Sequence, residues 1–248
     1  MKKYLHHLLL IAFCMSCNIK DTQVQVSSYS TAIAVVTDVT DKKKLWPEAN
    51  SLLELYHYKL YPNAEGWFDL SVISDKVINV SYSYHLPDAQ ITDQQNSEDD
   101  PQFRAEAIAG FYTNVKNAFT DLYRQFDTTK AYPYSQCWAT ISFALIKLNQ
   151  NSAAHKYLFA FTDGSENSAL WNAYRADASI NTQTIAARFL KAYPIPQNLN
   201  GITVIFVYLP ASITDDKRYT KMVQLYKFIL EQRGATVVLQ TNNSNYDL

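Results

Sequence analysis

Two short stretches place carboxylate and hydroxyl side chains at a spacing suited to holding a ligand. Asp38-Val39-Thr40-Asp41 follows the apolar run 32–36, and Thr162-Asp163-Gly164-Ser165-Glu166-Asn167 follows the apolar run 157–161. Clustered oxygen donors of this kind suit hard cations or a hydrogen-bonding partner. Each apolar run reads as a strand buried on both faces, so each cluster falls at a strand's carboxyl end. In open parallel sheets the ligand crevice lies outside those ends, where the strand order reverses. Two such ends suggest one shared site. Taken singly, Asp38, Thr40 and Asp163 are also ordinary turn and helix-cap residues, and it is their joint placement that points to function.

Other chemistries find less support. Neither GxGxxG nor GxxxxGK[ST] occurs, and 5 glycines in 248 residues leave little for phosphate-cradling loops, so no nucleotide is expected. The formal charge is -1, and about -3 once Lys2 and Lys3 are removed (20 basic against 23 acidic residues), which leaves no electrostatic footprint for nucleic acid. His57, His85 and His155 are scattered and no HExxH is present, so a zinc site is not expected. There is no G-x-S-x-G elbow. Asp38 could serve a hydrolase as nucleophile, but phosphatases with an aspartate after the first strand of a similar sheet carry a second acid two residues later. Here that residue is Thr40. Cys137, beside Trp138 in an apolar helix, reads as core. Glu166 and Asn167 are expected to cap or solvate their loop. Tyr132, Tyr134 and Trp171 fall on loops near the crevice and could contact a partner.

The elements that must position these residues follow from periodicity. Near-continuous apolar runs at 32–36, 157–161, 202–209 and 236–239 predict buried parallel strands. Val80, Tyr82 and Tyr84 alternate with polar residues, and this half-exposed strand follows 67–73 after a connection short enough to require an antiparallel hairpin, with the edge strand over 77–84. Helical spacing runs from Ile108 to Phe126 after Asp100-Pro101, from Trp138 to Leu148, over 180–190 before Pro194 and Pro196, and from Met222 to Leu230 between Asp215-Asp216 and Gly234. A shorter helix is expected over 46–56. Ser135 suits the N-cap of the helix before the 157–161 strand, with Thr140 inside that helix. The content of 48% hydrophobic and 14% aromatic residues supports a real core. Helices alternating with buried strands predict an α/β fold: a doubly wound, mostly parallel sheet with one antiparallel edge strand and helices on both faces.

The N-terminus resembles a bacterial lipoprotein signal. Lys2 and Lys3 form a basic start, 8–13 is apolar, and Ser16 precedes Cys17, the residue such signals lipidate. Cys14 stands where these signals usually have leucine, and follows Phe13. The alternatives are an ordinary cleaved signal or a buried apolar N-terminus. With Cys17 as the mature N-terminus only Cys137 remains, so no intramolecular disulfide is expected. The chain then divides into a signal at 1–17, a polar tether at 18–29 and a domain at 30–248. This places the protein on the cell envelope, membrane-anchored and either periplasmic or surface-exposed.

Over about residues 30 to 241 the chain resembles the von Willebrand factor A (VWA) family. The residues carrying the resemblance are Asp38-Val39-Thr40-Asp41-Lys42 after the first strand and Thr162-Asp163-Gly164-Ser165 after the fourth. The resemblance implies a sheet order of 3-2-1-4-5-6, with the first and fourth strands neighbours. It also implies a metal-ion-dependent adhesion site for Mg²⁺ built from Asp38, Thr40, Ser135 and Asp163, with Thr140 as the alternative to Ser135. Lys42 departs from the pattern, standing where the family has a ligating serine, and an ammonium cannot coordinate a cation. Either Asp41 or water supplies the missing oxygen, or Lys42 takes the cation's place. The implied function is a binding module for a protein partner. The alternatives are an envelope assembly component with a vestigial site, or a hydrolase using Asp38.

Overall fold

The computed structural model describes residues 29–40, 46–76, 81–89, 101–125, 132–175, 181–242 and 246. Cys17, Asp41 and Lys42 lie outside the described residues, as do 18–28 of the expected tether. Tyr29, the last residue assigned to that tether, instead stacks on Tyr61 with ring centroids 3.4 Å apart.

The chain runs β1 (Thr31–Asp38), α1 (Ala49–Glu54), β2 (Gly66–Ile73), β3 (Ser81–Leu86), α2 (Pro101–Gln125), α3 (Cys137–Gln150), β4 (His155–Phe161), α4 (Thr182–Ala192), β5 (Ile202–Val207), α5 (Ile213–Glu231) and β6 (Thr236–Gln240). The six strands form one sheet in the order β3-β2-β1-β4-β5-β6. All neighbours pair in parallel except β2 and β3. This is the expected α/β architecture. The edge strand continues two residues past the expected end at Tyr84, to Leu86, while 77–80 lie outside the described residues. The helix expected over 46–56 is confined to Ala49–Glu54.

Each central strand sends alternate residues into two separate cores, as the pleat requires. Ala32, Ala34 and Val36 of β1 and Leu158 and Ala160 of β4 join α3, α4 and α5 on one face. Ile33 and Val35 of β1 and Phe159 and Phe161 of β4 face α1 and α2 on the other. The alanines on the first face leave room for the bulky residues of α3, of which Trp138 is fully buried. Its indole Nε1 donates to the carbonyls of Phe189 and Tyr193 at the end of α4. Helix α3 is thereby fixed over the middle of the sheet.

Phe159 lies on a central strand, fully buried, with its ring near those of Phe161 and Tyr246. Phe159→Ala should cost about 3–5 kcal/mol in urea unfolding, as large-to-small substitutions of core aromatics do. A loss below about 1 kcal/mol would mean that the position is not packed in the core.

Candidate functional site

The site begins with register. Thr37 pairs with Phe161 across β1 and β4, so the next residues in line are Asp38 and Thr162. Both continue the parity of the Ala34, Val36, Leu158 and Ala160 side chains, and both turn toward α3. Thr162 Oγ1 donates to Asp38 Oδ2 at 2.8 Å. Thr40 donates twice to Asp38 Oδ1, through its backbone N–H at 2.8 Å and its hydroxyl at 2.6 Å. A buried carboxylate needs this saturation, because an ionised group removed from water without donors is strongly disfavoured. The two strand ends meet as expected, and the direct link is Thr162, which the sequence reading named within the 162–165 segment but did not assign to the site.

Asp163 follows on the loop and is 5% exposed. Its Oδ1 accepts from the Ser165 N–H at 2.8 Å. Gly164 lets the chain turn here. It has φ 66°, and a Cβ at this position would come within 3.0 Å of Tyr226 Cε2. Tyr226, from α5, donates its hydroxyl to the Gly164 carbonyl at 3.0 Å, and the Gly164 N–H returns to Thr162 Oγ1 at 3.0 Å. The loop is therefore pinned from both sides.

Ser135 enters from the segment before α3. Its backbone exchanges hydrogen bonds with Asn167, N–H to carbonyl in both directions at 2.9 and 3.1 Å, and the Gln136 N–H donates to the Ser74 carbonyl at the end of β2 at 3.0 Å. Ser135 is thus held between the β2 and β4 ends, but it is not the helix N-cap. That position belongs to Gln136, whose side chain makes no capping bond. The cap comes from across the crevice: Glu166 Oε2 accepts from the Trp138 N–H at 2.8 Å. Glu166 is fully buried, so of the two roles expected for it, capping holds and solvating the loop does not. A carboxylate at a helix N-terminus meets both unpaired N–H groups and the positive end of the dipole. Nothing in the linear spacing of Glu166 and Trp138 points to this pairing. Thr140 lies inside α3 as expected, its hydroxyl donating to the Gln136 carbonyl at 3.0 Å.

Cys137 forms the floor. Its Sγ lies 3.1 Å from Ser135 Oγ, 3.9 Å from Thr162 Oγ1 and 4.0 Å from Asp38 Oδ2. Burial, then Asp38 and Glu166, push its thiol well above its usual pKa, which favours the protonated form. Ser165 Oγ is buried and has no hydrogen-bond partner among the described residues. The donors gathered here are oxygens, apart from that thiol. Among the described residues no three His, Cys, Asp or Glu side chains are grouped to hold a metal. A cation would have to draw on the hydroxyls of Thr40 and Ser135 as well as the two aspartates, and possession of such hydroxyls makes the set chemically compatible with Mg²⁺.

The rim differs from the floor. Tyr134 is exposed, whereas Trp171 is buried in the core rather than available as a contact. Tyr174 leans over the crevice: burial, then Asp163, raise its phenol to about 12, with the Arg218 guanidinium acting the other way. The residue as a whole is nevertheless exposed, which leaves its hydroxyl end as the part that senses the acids. No protein-family profile matches the chain, and no curated protein matches it.

Burial pushes the Glu166 carboxyl from 4.5 up to about 7, against nearby donors on Ser168, Trp138 and Cys137 that favour its charged form; the Trp138 N–H bonds Oε2, while Oε1 is buried with no hydrogen-bond partner among the described residues. Because the folded pKa lies above the unfolded one, the native state holds its proton longer. Stability is therefore fullest below pH about 4.5 and falls as pH rises to about 7, by on the order of 3 kcal/mol for this group alone. Glu166→Gln mimics the protonated form and should flatten that part of the stability profile. Urea midpoints measured from pH 4 to 8 check it, and an unchanged slope in the variant would assign the pH dependence elsewhere.

Proposed function

We propose that the protein is a lipid-anchored binding module of the cell envelope, whose VWA-like face engages a protein partner at the crevice between Asp38 and Asp163. The observation that carries this reading is the bond from Thr162 to Asp38, which joins the ends of β1 and β4 at the point where the strand order reverses. Deep burial of Asp38 and Asp163 in one place leaves a repulsion that must be offset either by a retained proton, as on Glu166, or by a positive charge. Two sources of that charge are available. Mg²⁺ would be held by Asp38, Thr40, Ser135 and Asp163 and would offer an open position to a partner's carboxylate. Lys42 would supply an ammonium from within the chain, which is the reading of an assembly component with a vestigial metal site. The serine-to-lysine departure at position 42 is what favours this second reading. A hydrolase using Asp38 is the weakest of the three, since Asp38 is tied up by three hydrogen bonds and its neighbour two residues on is Thr40.

Thermal melts separate the two cation sources. If Mg²⁺ is the cation, millimolar Mg²⁺ should raise Tm and chelation should remove the gain, with about 2.7 kcal/mol of added stability at a hundredfold excess over Kd. If Lys42 is the cation, the parent should not respond, and Lys42→Ser should create the response. Absence of a response in both proteins would remove the metal from the function altogether.

The anchor has its own check. Cys17→Ser should move the protein from the detergent phase to the aqueous phase on cell fractionation, and unchanged partitioning would reject lipidation at Cys17.

A further inference from the structure

The crevice lies at the carboxyl ends of the parallel strands, and the opposite end of the sheet carries a different surface. The segment 57–64 leads into β2 there, and α2 begins beside it. Arg104, near the start of α2, donates to the carbonyls of Pro62, Pro87 and Ala64 at 2.6, 2.8 and 2.7 Å, so the helix start and the loop form one platform. From this platform Leu60 stands 71% exposed and Phe103 56% exposed. Tyr61, next to Leu60, holds the Tyr29 ring in a stack. Within 55–64 the charged side chain is Lys59, which is exposed, and Glu65, which follows, is hydrogen-bonded to His85 at 2.6 Å.

Leucine and phenylalanine held out in water on a fixed base mark a surface that something covers. The path of the chain indicates what does. The Thr31 N–H donates to the Glu65 carbonyl as β1 opens, so Tyr29 leaves the domain at this end and not at the crevice. Residues 18–28 separate Tyr29 from Cys17, and even fully extended they reach no more than about 40 Å. A lipid on Cys17 would therefore keep this end close to the bilayer, at the high effective concentration that a short connection gives. The side chains suit that surface: tyrosine rings sit at headgroup level, leucine and phenylalanine enter the acyl boundary, and an exposed lysine meets anionic headgroups. Asp38 lies at the other end of β1 from Thr31, about 23 Å away at the rise of a strand, so the crevice opens on the far side.

We infer that this end of the domain rests on the bilayer, with Leu60 and Phe103 entering the headgroup boundary and the Tyr29 and Tyr61 rings beside them, so that the crevice is presented away from the membrane. The inference rests on the lipid-anchored reading and adds the orientation of the binding module.

The full chain, reconstituted in vesicles of phosphatidylethanolamine and phosphatidylglycerol, tests it. A polarity-sensitive fluorophore is placed by Leu60→Cys or Phe103→Cys, or at the crevice end by Ile213→Cys, with the labelled parent as the control for native cysteines. Lipid-borne spin labels should quench the fluorophore at positions 60 and 103 by about twofold or more and leave that at 213 unchanged. Phe103→Asp should remove the quenching at 60 while the protein stays on the vesicles, and Tm should stay near that of the parent because the position is exposed. Unquenched labels at 60 and 103 on vesicle-bound protein, or equal quenching at 213, would overturn the inference and leave the anchor standing. A label at 60 that is shielded without lipid quenching would assign the patch to a protein and overturn it as well. Partition of the parent into detergent tests the anchor separately. If the parent stays aqueous, the anchor falls, and the bilayer patch stands only if vesicles still quench the label at 60 in a manner that Phe103→Asp removes; otherwise it falls too.

Discussion

The Asp38 carboxylate is the constraint around which the crevice is organised. It is 1% exposed at the end of a central strand, where an unsatisfied charge would cost several kcal/mol. Its two oxygens are met by the Thr40 N–H and hydroxyl on one side and the Thr162 hydroxyl on the other. Satisfying them dictates the turn after β1 and brings the β4 end into line with it. Thr162 can then serve the Gly164 N–H with the same oxygen, which sets the reversal of the 163–167 loop.

From that loop the constraint passes to α3. Glu166 reaches back to cap the Trp138 N–H, and Asn167 pairs with the backbone of Ser135. The helix can begin where it does because the carboxylate is supplied from the loop rather than from its own N-cap residue, Gln136. Its close approach to the sheet relies on Ala32, Ala34 and Ala160, whose small side chains leave space for Trp138 and its neighbours. Packing of the first core and geometry of the crevice are thus one problem: shifting α3 would disturb both.

The crevice and its surroundings divide the chemistry. The floor is buried and acidic, with a thiol whose protonated form is favoured by burial and by its acidic neighbours. The rim is exposed and carries aromatic and aliphatic groups with an arginine and a lysine. A buried acidic floor suits retention of a cation, internal or bound, while an exposed mixed rim suits contact with a macromolecule.

Much of the architecture was legible in the sequence because it depends on pattern. Continuous apolar runs marked β1, β4 and β5, strict alternation marked the antiparallel edge strand, and helical spacing marked the intervening helices, since burial on two faces, one face or one stripe leaves a distinct period. The run at 236–239 is the exception: it forms a strand, but β6 is the other edge of the sheet, none of its residues is buried and Leu239 is 52% exposed, because a run of apolar residues does not say which strand has a neighbour on each side. The same reasoning put Asp38, Thr40 and Asp163 at strand ends, because an apolar run that stops at a carboxylate marks where a strand leaves the sheet, though both aspartates prove to be buried there. What it could not supply was which polar group meets which. The direct bond to Asp38 comes from Thr162, the residue in register with it across the two strand ends. Glu166 caps a helix 28 residues earlier in the chain, and Arg218 reaches Tyr174 from another element, because both pairings depend on distances that exist only once the strands and helices are packed. Local sequence determines which side chains are available at a strand end; tertiary packing decides which of them remain for a partner after the protein has met its own hydrogen-bonding needs.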